Sequence, residues 1–97
     1  MATFITLANY TAQGIANIKE SPARLDAARE QLAAIGVTVK EFYLTMGEYD
    51  IVIVVEAPDN TTAAKALIGM GAQGNISTTT MVALTEDEFR AVIADMP

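Results

Sequence analysis

An α+β domain of β-α-β-β-α-β order is predicted by three features of this 97-residue sequence. The first is Ile51-Val52-Ile53-Val54-Val55, a β-branched run between Gly47 and Pro58-Asp59, which reads as a strand apolar on both faces. The second is a pair of segments with helical spacing, 21–35 and 59–73, each set between strand-like segments. The third is an apolar content of 52% with a mean hydropathy of +0.30, more than one small domain has interior to hide. The length fits a single domain over residues 1–97.

Taken in order, residues 3–10 alternate apolar and small polar side chains and form a first strand. Residues 11–18 make a loose helical turn, weakened by Gly14 and Asn17. Ser21 as N-cap and Pro22 at the first helical position open the first long helix. Its Leu25, Ala28, Leu32 and Ile35 share one face, opposite Arg24, Asp26 and Glu30, and Gly36 ends it. Residues 37–45 are a second strand, with Val37, Val39, Tyr43 and Thr45 alternating with Lys40, Phe42, Leu44 and Met46. Gly47-Glu48 joins it by a tight connection to the strand starting at Ile51, so the two are antiparallel neighbours.

Asp59 caps the second long helix, whose stripe is Ala63, Ala64, Leu67 and Met70. Gly69 and Gly71 within it cost roughly 1 kcal/mol each against Ala, which implies close packing or a frayed end. Gly74-Asn75 stops it, and residues 76–84 form the fourth strand. Thr85-Glu86-Asp87-Glu88 is a capping box that starts a last helix, with Phe89, Val92 and Ile93 facing inward.

This order interleaves into a four-stranded antiparallel sheet with both long helices on one face, a ferredoxin-like arrangement with an added C-terminal helix. The other face would then be a large bare apolar patch. Pairing two such sheets face to face covers it, so a homodimer that forms a two-subunit β-barrel or sandwich is predicted. Periodicity leaves either face of residues 51–55 available for that contact.

Composition removes several function classes. With 12 acidic and 6 basic residues, a net charge of −6 and no basic cluster, nucleic acid is not an expected partner. Neither Cys nor His occurs, which excludes disulfides, Cys/His zinc sites, thiol nucleophiles, imidazole bases and His-ligated haem. No dense Asp/Glu loop suggests an oxygen-ligated metal, so no cofactor is expected. No apolar run approaches the ~20 residues of a membrane span. Met1-Ala2-Thr3-Phe4 lacks a basic export signal, so the expected location is the cytoplasm, away from membranes.

Two groups are candidates for binding or catalysis. Thr11, Gln13 and Asn17 form a polar turn after the first strand, placed either to meet a ligand or to cap a helix. Tyr43, Thr45, Tyr49 and Asp50 surround the second connection, where a carboxylate base and phenol donors would suit proton transfer. Adjacent strand residues point to opposite faces, so the favoured reading is structural: Asp50 accepts backbone amides at the turn and Tyr49 packs in the barrel or interface. Gly69-Met70-Gly71-Ala72-Gln73-Gly74 matches Gly-x-Gly-x-x-Gly, but a helix precedes it and a strand follows, the reverse of a dinucleotide site.

Gly47-Glu48-Tyr49-Asp50, with Phe4-Ile5-Thr6-Leu7, Thr11-Ala12-Gln13-Gly14-Ile15, Ser21-Pro22-Ala23-Arg24, Phe42 to Met46, Ala57-Pro58-Asp59 and Gly74-Asn75, resembles the GYD-domain family of small bacterial proteins. That resemblance implies the ferredoxin-like fold and dimerisation as a dimeric α/β barrel, and carries no catalytic residue set. Residues 41–67 also resemble the effector domain of leucine-responsive regulators, which binds small amino acids between subunits. This chain has no counterpart of their helix-turn-helix. Further members of the superfamily are cofactor-free monooxygenases, isomerases and haem enzymes. The resulting expectation is a homodimeric small-molecule-binding module. The alternatives are a cofactor-independent enzyme on a hydrophobic carbonyl or aromatic substrate, using Asp50 or a tyrosine, and a structural or interaction protein.

Overall fold

A computed structural model describes residues 1–97. The elements are β1 (Ala2–Tyr10), α1 (Ala12–Ala16), a 3-10 turn (Ile18–Glu20), α2 (Ser21–Ala34), β2 (Thr38–Leu44), β3 (Ile51–Ala57), α3 (Asn60–Ala72), β4 (Ile76–Ala83) and α4 (Glu86–Ala94). The strands form one sheet in the order β2-β3-β1-β4, with every neighbouring pair antiparallel. No helix is long and apolar enough to cross a membrane.

Register sorts the side chains between the two faces. Phe4, Thr6 and Ala8 of β1 stand opposite Val55, Ile53 and Ile51 of β3. All six are buried, beneath Leu32 of α2 and Ala63 and Ala66 of α3. The Thr6 hydroxyl, fully enclosed, pairs with that of Thr80 at 3.0 Å, as a buried polar group requires. On the opposite face Ile5 pairs with Val54 and Leu7 with Val52. Met81 flanks Ile5 and Tyr43 flanks Val52. No helix of the chain covers this face, and Tyr43 and Met81 are exposed on it.

Several local expectations are corrected. Helix α4 has its capping box, with the Thr85 hydroxyl accepting from the Glu88 amide and the Glu88 carboxylate from the Thr85 amide. Phe89, Val92 and Ile93 do not face inward, however; each is more than half exposed. In β2 a register irregularity between Val39 and Glu41 places Val39 opposite Val55 and Phe42 opposite Ile53. Both therefore face the helices, which simple alternation had separated. The connection from β2 to β3 is a six-residue loop, 45–50, not a tight turn.

Ser21 is the first residue of α2 and does not cap it; its hydroxyl is engaged by Tyr10 instead. Gly69 and Gly71 have open space where a Cβ would stand, so neither marks close packing. Gly14 does. A Cβ there would collide with the Asn75 carbonyl oxygen, so only glycine lets α1 approach the α3–β4 loop.

Candidate functional site

Helix α2 lies toward β2, and α3 toward β3 and β4. The hollow between them has a volume of about 220 Å³, and 11 of its 17 lining residues are hydrophobic. Phe42, Ile51 and Ile53 contribute from the sheet, Leu25, Ala28, Leu32 and Ile35 from α2, and Ala66 and Met70 from α3. The stripe of α2 thus lines a cavity as much as it fills a core. Polar groups come from the ends of elements: Tyr10, Ser21, Arg24, Gln73 and Asn75. Tyr10 and Ser21 share a hydrogen bond between hydroxyls at 2.9 Å. Arg24 donates through Nη1 to the Asn17 carbonyl at 3.0 Å and lies 3.6 Å from a Glu20 carboxylate oxygen. Its Nη2 is buried with no acceptor.

The residues singled out from sequence fall elsewhere. Thr11 anchors the α1 turn to the α3–β4 loop: its amide donates to the Asn75 carbonyl at 3.0 Å and its hydroxyl to the Gly74 carbonyl at 2.6 Å. The same hydroxyl accepts the Gly14 amide. Gln13 donates through Nε2 to the Gln73 carbonyl and to Asn75 Oδ1, both at 3.1 Å. Asn17 donates to the Gln13 carbonyl and offers its own carbonyl to Arg24.

The second group knots the loop between β2 and β3. Asp50 Oδ2 accepts the Tyr10 amide at 3.0 Å, and the Asp50 amide donates to Asn9 Oδ1 and the Ala8 carbonyl. Thr45 donates its amide to the Asp50 carbonyl and its hydroxyl to the Tyr49 carbonyl. Tyr43 sits apart on the bare sheet face, donating to Glu41 at 3.2 Å. That hydrogen bond, then the Glu41 charge and slight desolvation, hold its phenol above the usual value. Thr11, Gln13 and Asn17 come together, as do Thr45, Tyr49 and Asp50, and none of these or Tyr43 lines the hollow.

Sequence reasoning passed over Tyr10, Ser21 and Arg24. A signal existed: Arg24, Ala28, Gln31 and Ile35 recur at helical spacing, and all four line the hollow. A two-valued apolar/polar reading of α2 assigns Arg24 to solvent and hides it. Chemically, the site offers apolar walls, one cation and a pair of hydroxyls, and so suits retention of a ligand. No group of three or more His, Cys, Asp or Glu side chains is arranged to hold a metal ion.

The sheet order, the helices on one face and the added C-terminal helix define a ferredoxin-like subunit of the kind found in dimeric α/β-barrel proteins. Within that class the chain belongs to the GYD-domain family, whose pattern matches residues 4–93. It is 35% identical over 85 residues to the glutamine synthetase and cystathionine beta-lyase binding protein of Thermus thermophilus, covering 87% of this chain and 90% of that protein. Among solved structures, MtbAldR superposes with a TM-score of 0.69 at 15% identity, over 88% of this chain and 52% of that one. This chain therefore spans about half of MtbAldR, and the likeness is one of fold. A hypothetical protein from Pyrococcus horikoshii superposes with a TM-score of 0.58 at 26% identity, over 89% of this chain and 93% of that one.

Proposed function

We propose that this chain is a cytoplasmic, homodimeric small-molecule-binding module, with the bare sheet face as its dimer contact and the α2–α3 hollow as its ligand site. The observation that carries the reading is the hollow itself: apolar over most of its lining, with Arg24 its one ionised side chain. Such a cavity with few polar groups is the usual form of a small-ligand site. Proton transfer has less support. Asp50, the base that an enzyme reading would use, is committed to the Tyr10 amide outside the hollow.

The dimer follows from the open face. Obligate interfaces of this type bury more than ~2,000 Å² and are hydrophobic, as are Ile5, Leu7, Val52 and Val54 here. Native mass spectrometry of the purified protein tests both parts. It is expected to give a mass of two chains plus a small adduct. Bare single chains at micromolar concentration would overturn the proposal.

A second reading, protein binding, is favoured by the name of the Thermus relative and by the exposed apolar side chains of α4. Its test is surface binding to the glutamine synthetase and cystathionine beta-lyase of the same source. Loss of binding in Phe89→Ser is the outcome that supports it, and no binding to either enzyme removes it.

A further inference from the structure

We infer that the hollow between α2 and α3 takes a small monocarboxylate with a short apolar tail, its carboxylate held by Arg24. This rests on the small-molecule reading above and names the ligand class.

Charge is the first argument. The chain as a whole carries −6, yet of the 17 residues lining the hollow only Arg24 is ionised. An anion entering it meets one cation and no carboxylate. The environment of that cation is the second. Arg24 uses Nη1 on the Asn17 carbonyl, and its contact with the 72%-exposed Glu20 side chain is long and solvent-screened. Nη2 is enclosed and donates to nothing, a state that buried charged donors do not ordinarily keep. A turn of the guanidinium toward the hollow brings its two-pronged edge to a carboxylate, the acceptor that its geometry matches.

Position adds to this. Arg24 closes the first turn of α2, where the helix dipole disfavours a cation and favours an anion. Ser21 opens the same turn, three residues earlier and on the same helix face. Its hydroxyl and that of Tyr10 spend one hydrogen on each other, which leaves the second free to donate to an acceptor nearby.

The remaining lining sets the other end of the ligand. Leu25, Ala28, Leu32, Phe42 and Met70 are apolar walls for a hydrocarbon tail. A volume of about 220 Å³ lies below the ~300 Å³ lower end of drug-sized sites, so the tail is a handful of carbons long. The lining offers no carboxylate to an ammonium group. A zwitterionic amino acid would therefore bury its positive end beside Arg24 without a counter-charge, and the plain acid is preferred.

The test is an amide-resolved NMR titration of the full chain with hexanoate, hexanol and norleucine, repeated on Arg24→Gln. Hexanoate is expected to shift amides of α2 and β3 and to bind at least ten-fold more tightly than hexanol or norleucine. Arg24→Gln should remove that preference, bringing hexanoate down to the affinity of hexanol. If hexanol matches hexanoate on the native chain, or Arg24→Gln binds hexanoate as well as the native chain does, this inference falls while the small-molecule reading stands. If no probe shifts an amide of the hollow, or norleucine matches hexanoate, this inference also falls, and the small-molecule reading is decided by the native mass measurement. Should Arg24→Gln fail to fold, the ranking of the three probes on the native chain decides the matter.

Discussion

Asp50 joins the start of β3 to the end of β1 with both its side chain and its backbone. Its carboxylate accepts the Tyr10 amide at 3.0 Å, and its amide donates to Asn9 Oδ1 and the Ala8 carbonyl. Asp50→Ala leaves the Tyr10 amide without its acceptor and is expected to cost about 1–3 kcal/mol. Asp50→Asn retains an oxygen in place and should cost little. Thermal melts of the two variants check this, and an Ala variant melting at the wild-type temperature would remove the structural role. The sequence suggests an Asp50 carboxylate that accepts amides of its own turn; the amide it accepts instead belongs to Tyr10 on the neighbouring strand, forty residues away, which the sequence around Asp50 cannot indicate. Gly14 was not legible either. In sequence it reads only as a helix-weakening residue, whereas its necessity comes from the Asn75 carbonyl, which occupies the place a Cβ would need. Arg24 was hidden for a related reason: what distinguishes it is the lack of an acceptor at Nη2, a property of the residues around it.

At the scale of elements, local signals carried well where the determining contacts are local. The caps of α3 and α4 are examples: Asp59 accepts the Thr62 amide at 2.7 Å, and the Glu88 carboxylate accepts the Thr85 amide at 2.9 Å. These hydrogen bonds favour the ionised carboxylates and hold both groups below their ordinary range. A folded-state value below the unfolded one means that the capping contribution is fully present above the ordinary carboxylate range near pH ~4. It is lost as pH falls through the lowered folded value. Acidification is therefore expected to fray the first turns of α3 and α4. A fall in amide protection at Thr62 and Thr85, taken relative to the intrinsic exchange rate at each pH, as pH drops below about 4 would register it, and unchanged protection there would contradict it. Thr85→Ala should loosen α4 at neutral pH by about 1 kcal/mol, as cap removal does. Two element properties were not legible. The irregularity between Val39 and Glu41 inserts a residue into an otherwise alternating pattern, and alternation alone cannot locate it. The apolar face of α4 was visible as a pattern, but a pattern does not say which chain covers it.

For the whole molecule, the sequence order was enough for sheet topology, because two crossovers of this length have few arrangements in one sheet. The excess of apolar residues was also visible, and the structure gives it an address. Only 12 of 97 residues are buried in the single chain, although 52% are apolar, so much apolar surface lies exposed on it. Residues 52 and 53 separate the two faces cleanly. Ile53 is buried under the helices and stands opposite Thr6 and Phe42. Val52 stands opposite Leu7 and Tyr43 on the bare face. Ile53→Asp therefore puts a carboxylate into the core of each subunit, where it has no partner, and should unfold the chain. Val52→Asp puts the same charge where a lone subunit meets water and a dimer would not. It should leave the circular dichroism spectrum folded while light scattering falls from two chains to one. A Val52→Asp protein that remains dimeric at micromolar concentration would show that the subunits do not meet through this face.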